Sequence, residues 1–413
     1  MIQAVILAGG RGERLKPITD SVPKPMVPVR GLPFLVHLLR QLHTQKVDRV
    51  VILAGYLSEV VERYFHNDRA SPEGMAVSVR TSPPTFSGGE RLLDAERELA
   101  SEFLLLYGDN YAKFSLEELH SAQQRARSFT ALSVFRKKPG DLEIDDQGAV
   151  RNLHSGARSD GFDFVELGYM LVKKEPIVAS LQACSGNLRE AVRRQIVAAR
   201  VTSVEIKHPY FSVSDPQRLQ ATSEALSDRK VLILDRDGVL NVKPPRGHYV
   251  RKLSEFRPIE ENWDAIKHLS EEGFSFIVVT NQAGLEIGSL KAQDLETIDN
   301  EIRARFQSFG AGLLDIYTCP HHWDSMCECR KPKPGLLYRS AREHNLVLDN
   351  IIFVGDQLSD REAAVAAGCR SLLVGNEPRE MSQSSDCFPS LTQALGSIRR
   401  HYREGREVGF GQF

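Results

Sequence analysis

Nowhere in this 413-residue chain does an apolar run reach the roughly 18 to 20 residues that a membrane helix needs. The opening residues, MIQAVILAGG, also lack the basic n-region and cleavage site of a secretory signal peptide. No membrane partner is expected, and the expected location is cytoplasmic. Excess charge of one sign is missing too: 53 Lys plus Arg stand against 54 Asp plus Glu, a formal charge of −1. Without a chain-wide positive field, a nucleic-acid partner is not expected. Internal repeats and low-complexity tracts are absent. At 41% apolar and 26% charged residues the composition is that of an ordinary globular protein, which excludes fibre, collagen and general disorder. Cysteines number only six, yet Cys319, Cys327 and Cys329 fall within eleven residues. In a reducing compartment such crowding points to a metal before a disulfide.

At roughly 150 residues per domain the length allows two to three domains, and two is the working number. Ile2–Ala8 and Val231–Leu234 read as first strands of separate parallel sheets, each running into a turn. Strand-like and helix-like segments then alternate: Arg49–Ala54 with Ser58–Phe65, Phe103–Tyr107 with Ser115–Ala126, and later Phe274–Thr280, Leu313–Thr318 and Ile351–Gly355. That rhythm is α/β, with sites expected at the carboxyl ends of strands. Pro216 to Arg229 reads as a closing helix and a short hinge, giving domains over 1–226 and 228–402, and Gly405–Phe413 reads as a loose tail.

Ala8 to Pro33 reads AGGRGERLKPITDSVPKPMVPVRGLP, a glycine turn directly after a strand with Arg14 and Lys24 downstream. Glycines let a backbone approach a ligand and aim N–H groups at phosphate oxygens, while Arg and Lys neutralise the remaining charge. The run resembles the sugar-phosphate nucleotidylyltransferases, whose signature is GGxGxRLxPxT followed by PKPM and PVxGxP. The resemblance implies a nucleotidyltransferase fold in which Gly9, Gly10 and Gly12 hold the nucleotide and Arg14 and Lys24 hold the triphosphate and sugar phosphate. It implies Mg²⁺ at Asp109, the strand-end carboxylate of LLLYGDN. Ser87-Gly88-Gly89 resembles the segment near the base, with Glu90 and Arg91 in place of small and apolar residues, and FVELGYML falls where the family has its sugar-facing strand around Gly168. Where the family places a second metal aspartate, this chain has Ser212, within Tyr210-Phe211-Ser212-Val213-Ser214-Asp215-Pro216. A hydroxyl is a poorer ligand for a hard dication. Asp109 with the phosphates then suffices, or Asp215 swings in, or this half is weakened; Pro216 favours the first by restricting Asp215.

Lys230–Asn241 reads KVLILDRDGVLN, an apolar strand ending in two aspartates one residue apart, with Gly238 to make the turn. Thr280 and Asn281 in VVTNQ, Lys331 in CRKPKPG, and Asp356 with Asp360 in FVGDQLSD stand at later strand ends. Together they resemble the haloacid-dehalogenase phosphatases. The resemblance implies Asp235 as nucleophile, Asp237 as general acid and base, and Mg²⁺ held by Asp235, Asp356 and the Asp237 carbonyl. Thr280, Asn281 and Lys331 would bind the transferring group, with Lys333 an alternative to Lys331.

Cys319, His321, Cys327 and Cys329 have CxHx5CxC spacing, and three thiolates with one imidazole in one loop make a closed Cys₃His zinc site, with His322 the alternative to His321. The loop, with DRDGVLN and CRKPKPG, resembles heptose 1,7-bisphosphate phosphatases and histidinol-phosphate phosphatases, which implies a capless fold with structural Zn²⁺. The usual stretch after TNQ is replaced by Ala283–Gly288, leaving Arg330 for a distal phosphate. The combined resemblances imply two Rossmann-like domains and two successive reactions: removal of the 7-phosphate from heptose 1,7-bisphosphate, then nucleotidyl transfer from an NTP, GTP favoured, to heptose 1-phosphate. Histidinol-phosphate phosphatase fused to another transferase, or a regulatory nucleotide-binding N-terminal module, are the rival readings.

Overall fold

The computed structural model describes residues 2–66, 71–154, 160–245, 247–375 and 386–407. The chain divides into two units, one ending at Leu226 and the other beginning at Ser227.

In the first unit, Gln3–Ala8, the apolar run QAVILA, lies almost wholly buried, as an interior strand covered on both faces must. Arg49–Ala54 flanks it on one side and Glu102–Tyr107 on the other, both parallel to it, and Ala76–Thr81 continues outward beyond Arg49–Ala54. Because the chain leaves Gln3–Ala8 in one direction and returns on its other side, a crevice opens at the carboxyl ends of Gln3–Ala8 and Glu102–Tyr107. Helix Phe34–Thr44 buries Leu35, Leu38, Leu39 and Leu42, one stripe at 3.6-residue spacing. The expected all-parallel sheet is corrected here. Phe164–Lys173 runs antiparallel to both Glu102–Tyr107 and Thr130–Arg136, so the sheet is mixed. Apolar runs give a strand's burial, not its direction.

The second unit is a six-stranded parallel sheet in the order Gly312–Cys319, Phe274–Asn281, Lys230–Leu234, Ile352–Gly355, Arg370–Val374, Cys387–Phe388. Its order reverses at Lys230–Leu234, which places the ends of the DRDG strand and of Ile352–Gly355 side by side. Trp263 is fully buried, packs edge-on against Phe306, and donates its indole N–H to the Leu240 carbonyl at 2.9 Å. That bond fixes the chain just after the DRDG turn. Helix Leu391–Glu407 takes in the first three residues of the expected loose tail, and the rest of that tail, 408–413, lies outside the described residues.

Candidate active sites

In the first unit the glycine turn follows Gln3–Ala8 directly. Gly12 has φ +65°, and a Cβ there would stand 3.0 Å from the Lys24 side chain, so only glycine fits. Gly10 has open space where a Cβ would point, whereas a Cβ on Gly9, or on Gly55, would collide with the Arg91 guanidinium. Arg91 is 2% exposed and donates to the carbonyls of Ala54 (2.9 Å) and Pro83 (3.0 Å) and to Ser82 Oγ (2.7 Å). It therefore wedges against the glycine turn, and Gly9 is shaped by a protein neighbour. Gly88 opens the short helix Gly88–Asp94, which Ser87 and Glu90 close with a reciprocal capping box.

Arg14 is exposed in a turn of 3₁₀ helix. Lys24 forms an ion pair with Asp109, which sits in the turn after Glu102–Tyr107 and is about one quarter exposed. Among the described residues this unit gathers no set of three metal-ligating side chains, so Asp109 is its strand-end carboxylate without acidic company. Ser212 lies opposite Asn110 in a small antiparallel pair, and Val213 N–H donates to the Asp109 carbonyl at 3.0 Å. The hydroxyls of Ser212 and Ser214 are 2.8 Å apart, with Arg218 Nη1 3.2 Å from Ser214 Oγ. Asp215 does not swing in: its carboxylate accepts the Arg218 backbone N–H at 2.9 Å as the N-cap of helix Pro216–Ala225. Sequence reasoning missed Glu166, on the antiparallel strand Phe164–Lys173. Burial pushes its carboxyl up to about 7, against the pull of the Gly168 N–H that it accepts.

In the second unit Asp235, Asp356 and Asp360 bring carboxylate oxygens within 4.8 Å of one another, all buried. Gly238, at φ +92°, is what lets Asp356 approach, since a Cβ there would overlap its carboxylate. Lys331, 5% exposed, places its ammonium 2.7 Å from both Asp235 Oδ1 and Asp360 Oδ1 and 3.0 Å from the Val279 carbonyl. Burial pushes the Asp235 carboxyl up, against the opposing pull of Lys331, and Asp360 and Asp356 add to the rise. Asn281 clamps the Lys331 backbone through both its N–H and its carbonyl, at 3.1 Å each. Lys333 turns away to Glu328 at 2.9 Å, so Lys331 is the lysine at the site. Thr280, 1% exposed, accepts from Gln282 Nε2, which also donates to Asp237 Oδ2 at 2.8 Å.

Asp237 stands apart from the acidic trio, its carboxylate held by Arg236, Asn241 and Gln282. Burial alone would raise it, yet the Arg236 guanidinium and those hydrogen bonds hold it below the usual carboxylate range. Gln282, Asn241 and the fully buried Arg236 were not singled out by sequence, although all three stand inside the quoted motifs. Lys243 had no such signal; its ammonium lies 2.7 Å from Asp356 Oδ2. The trio fits a cation: Asp356 Oδ1 is buried without a hydrogen-bond partner, and Asp235 and Asp356 are hard oxygen donors.

The Cys/His loop gathers Cys319, His321, Cys327 and Cys329. Sulfur–sulfur separations are 3.4 to 3.7 Å, and His321 Nδ1 lies 3.1 Å from Cys329 Sγ. A tetrahedron with Zn–S of about 2.3 Å has edges of about 3.8 Å, so the set fits zinc. His322 instead lies tilted against Trp323 and faces Asp324. Arg330 Nη1 donates to the His321 carbonyl at 3.2 Å, and Glu286, in the Ala283–Gly288 turn, accepts from the His322 N–H.

The nucleotidyl transferase family model matches residues 3–152, and the HAD-hydrolase-like model matches residues 328–391. The chain is 41% identical over 145 residues to the D-glycero-beta-D-manno-heptose-1,7-bisphosphate 7-phosphatase of Pseudomonas putida, covering 35% of this chain and 82% of that one. It is 32% identical over 170 residues to the D-glycero-alpha-D-manno-heptose-1,7-bisphosphate 7-phosphatase of Campylobacter jejuni, covering 41% and 96%. The solved structure of HddC from Yersinia pseudotuberculosis matches at 21% identity and a TM-score of 0.45, covering 54% of this chain and 99% of that one. The chain thus belongs, through its second unit, to the D-glycero-D-manno-heptose-1,7-bisphosphate 7-phosphatase family and, with a nucleotidyl transferase domain ahead of it, is a bifunctional nucleotidyltransferase and phosphomonoesterase.

Proposed function

We propose that the second unit removes the 7-phosphate of D-glycero-D-manno-heptose 1,7-bisphosphate and that the first transfers a nucleotidyl group from an NTP, with GTP favoured, to the resulting heptose 1-phosphate. The observation that carries this reading is the Lys331-bridged aspartate cluster on a half closely related to such phosphatases. Loss of the 7-phosphate leaves the 1-phosphate, which is the nucleophile a sugar-phosphate nucleotidyltransferase consumes.

Asp235 attacks phosphorus to form an acyl phosphate while the leaving alkoxide takes a proton from Asp237; Asp237 then deprotonates the water that releases phosphate. Asp237 starts anionic, and an incoming phosphate dianion raises its proton affinity, the direction an acid requires. Lys331 neutralises charge on the equatorial oxygens, and the Thr280 hydroxyl would hydrogen-bond to them. Mg²⁺, held by Asp235, Asp356 and the Asp237 carbonyl, would screen the carboxylate from the phosphate it attacks. Zn²⁺ on Cys319, His321, Cys327 and Cys329 would fix the loop that Arg330 braces.

In the first unit the sugar phosphate oxygen attacks the α-phosphorus and pyrophosphate leaves, with no covalent intermediate on the protein. Gly9, Gly10, Gly12 and Gly88 would line the nucleotide, Arg14 and Lys24 would hold phosphates, and Asp109 would hold Mg²⁺, which would neutralise charge on the triphosphate. The test is a coupled assay of the full chain with heptose 1,7-bisphosphate of either anomer and each of the common NTPs, following phosphate and pyrophosphate. Phosphate then pyrophosphate, fastest with GTP, is expected. Phosphate without pyrophosphate for every NTP defeats the transferase half of the proposal.

A further inference from the structure

Gln282 follows the strand Phe274–Asn281 and is fully buried. Its backbone is fixed at both ends: its N–H is bonded to the Cys319 carbonyl at 2.8 Å, and its carbonyl accepts the Leu285 N–H at 3.1 Å. The side chain reaches two groups of the site through one nitrogen. Nε2 donates to Asp237 Oδ2 at 2.8 Å and to Thr280 Oγ1 at 2.9 Å, which uses both amide protons. Arg236 and Asn241 also hold Asp237, but among the described residues only Gln282 bonds to both Asp237 and Thr280. The other end of the amide, Oε1, is buried with no hydrogen-bond partner. The amide cannot turn over to relieve it, because Oε1 would then face the Asp237 carboxylate. For packing alone an apolar side chain of the same size would be the cheaper occupant, so the two bonds from Nε2 are what this glutamine adds.

Resting on the phosphatase reading above, we propose that Gln282 is a positioning residue of the phosphatase reaction: it sets the Asp237 acid and the Thr280 hydroxyl at one fixed separation and gives the hydroxyl its direction. A hydroxyl carries one proton. With Thr280 Oγ1 accepting from Gln282, that proton is left to be donated to a phosphoryl oxygen. The same nitrogen holds Asp237 Oδ2, on the carboxyl group that protonates the leaving alkoxide, so the two groups move as one unit. Groups held in register before substrate arrives spare the reaction the entropy of aligning them. The zinc loop enters the same chain of contacts, since the carbonyl that fixes the Gln282 N–H belongs to Cys319.

The test is a double-mutant cycle in the full chain, pairing Thr280→Val with Gln282→Met, which removes both donors at nearly constant volume. On p-nitrophenyl phosphate, whose leaving group departs without a proton, Gln282→Met should lower kcat/KM by about tenfold in the wild-type background, the scale of one hydrogen bond, and by less than about threefold beside Thr280→Val. On heptose 1,7-bisphosphate, whose alkoxide needs the proton from Asp237, the same variant should lose about tenfold more. A residue that only supports the fold would give equal losses in both backgrounds and on both esters, and either equality overturns the proposal. Gln282→Leu repeats the cycle should the methionine variant not fold. If the wild type hydrolyses p-nitrophenyl phosphate but not the heptose bisphosphate, the sugar reading has failed instead, and the cycle on p-nitrophenyl phosphate still decides for or against Gln282.

Discussion

The two sites solve the handling of phosphate with opposite amounts of enclosure. In the first unit a single carboxylate, Asp109, sits partly exposed against Lys24. In the second, three carboxylates share a pocket with a lysine that is 5% exposed. The difference follows the chemistry proposed for each half. When the substrate supplies the nucleophile, the protein need only orient and neutralise. When a protein carboxylate must attack an anion, it has to be stripped of water and matched with fixed cations, which raises the cost of every group left alone there.

The largest effects should come from removing each side's central carboxylate. Asp235→Asn is expected to cut phosphate release by about three orders of magnitude or more while pyrophosphate release from supplied heptose 1-phosphate continues. Asp109→Ala should do the reverse, lowering pyrophosphate release by about a hundredfold and sparing phosphate release. Steady-state assays of both products in both variants check the pair, and loss of both activities in either variant breaks the comparison. Next, purified chain should hold about one zinc. Cys327→Ser should lose it, and with it phosphate release, while pyrophosphate release persists; elemental analysis and the two assays decide.

A smaller effect concerns Glu166, whose carboxyl is raised to about 7 from 4.5, chiefly by burial. Below pH 4.5 both folded and unfolded chains carry the proton and nothing is lost. As pH climbs through 7 the unfolded chain ionises first, so the folded first unit loses up to about 3 kcal/mol. Glu166→Gln should therefore match the wild type in urea unfolding near pH 4.5 and exceed it above pH 7. Smallest of all, Asp215→Ala should cost the first unit about 1 kcal/mol, the worth of an N-cap, and leave pyrophosphate release nearly intact over a Mg²⁺ titration. A collapse of activity there would mean that Asp215 holds metal after all.

Much of this layout was legible because strand interiors are apolar runs and sites stand at strand ends, so VILA before GG and LIL before DRDG announce both features together. Less was legible where partners lie far apart in sequence. Lys243 meets Asp356 across 113 residues, and nothing in VKPPRG marks it. Arg91 read as a departure from a small-residue segment, and only the fold shows its guanidinium turned beneath the glycine turn. The direction of Phe164–Lys173 was hidden because period and hydropathy are the same either way along a strand. The final helix was only partly legible: Leu391, Ala394, Leu395 and Ile398 form its buried stripe, whereas the polar residues after Ile398 carry no periodic signal to mark where it ends.

The Arg91 wedge makes a three-residue lock beside the glycine turn of the first unit. A side chain on Gly9 or Gly55 would push the Arg91 guanidinium off its partners, and shortening position 91 would open a polar void lined by the carbonyls of Ala54, Ser82 and Pro83. Reshaping this crevice therefore cannot proceed one position at a time: the three positions form a unit of redesign, to be exchanged together.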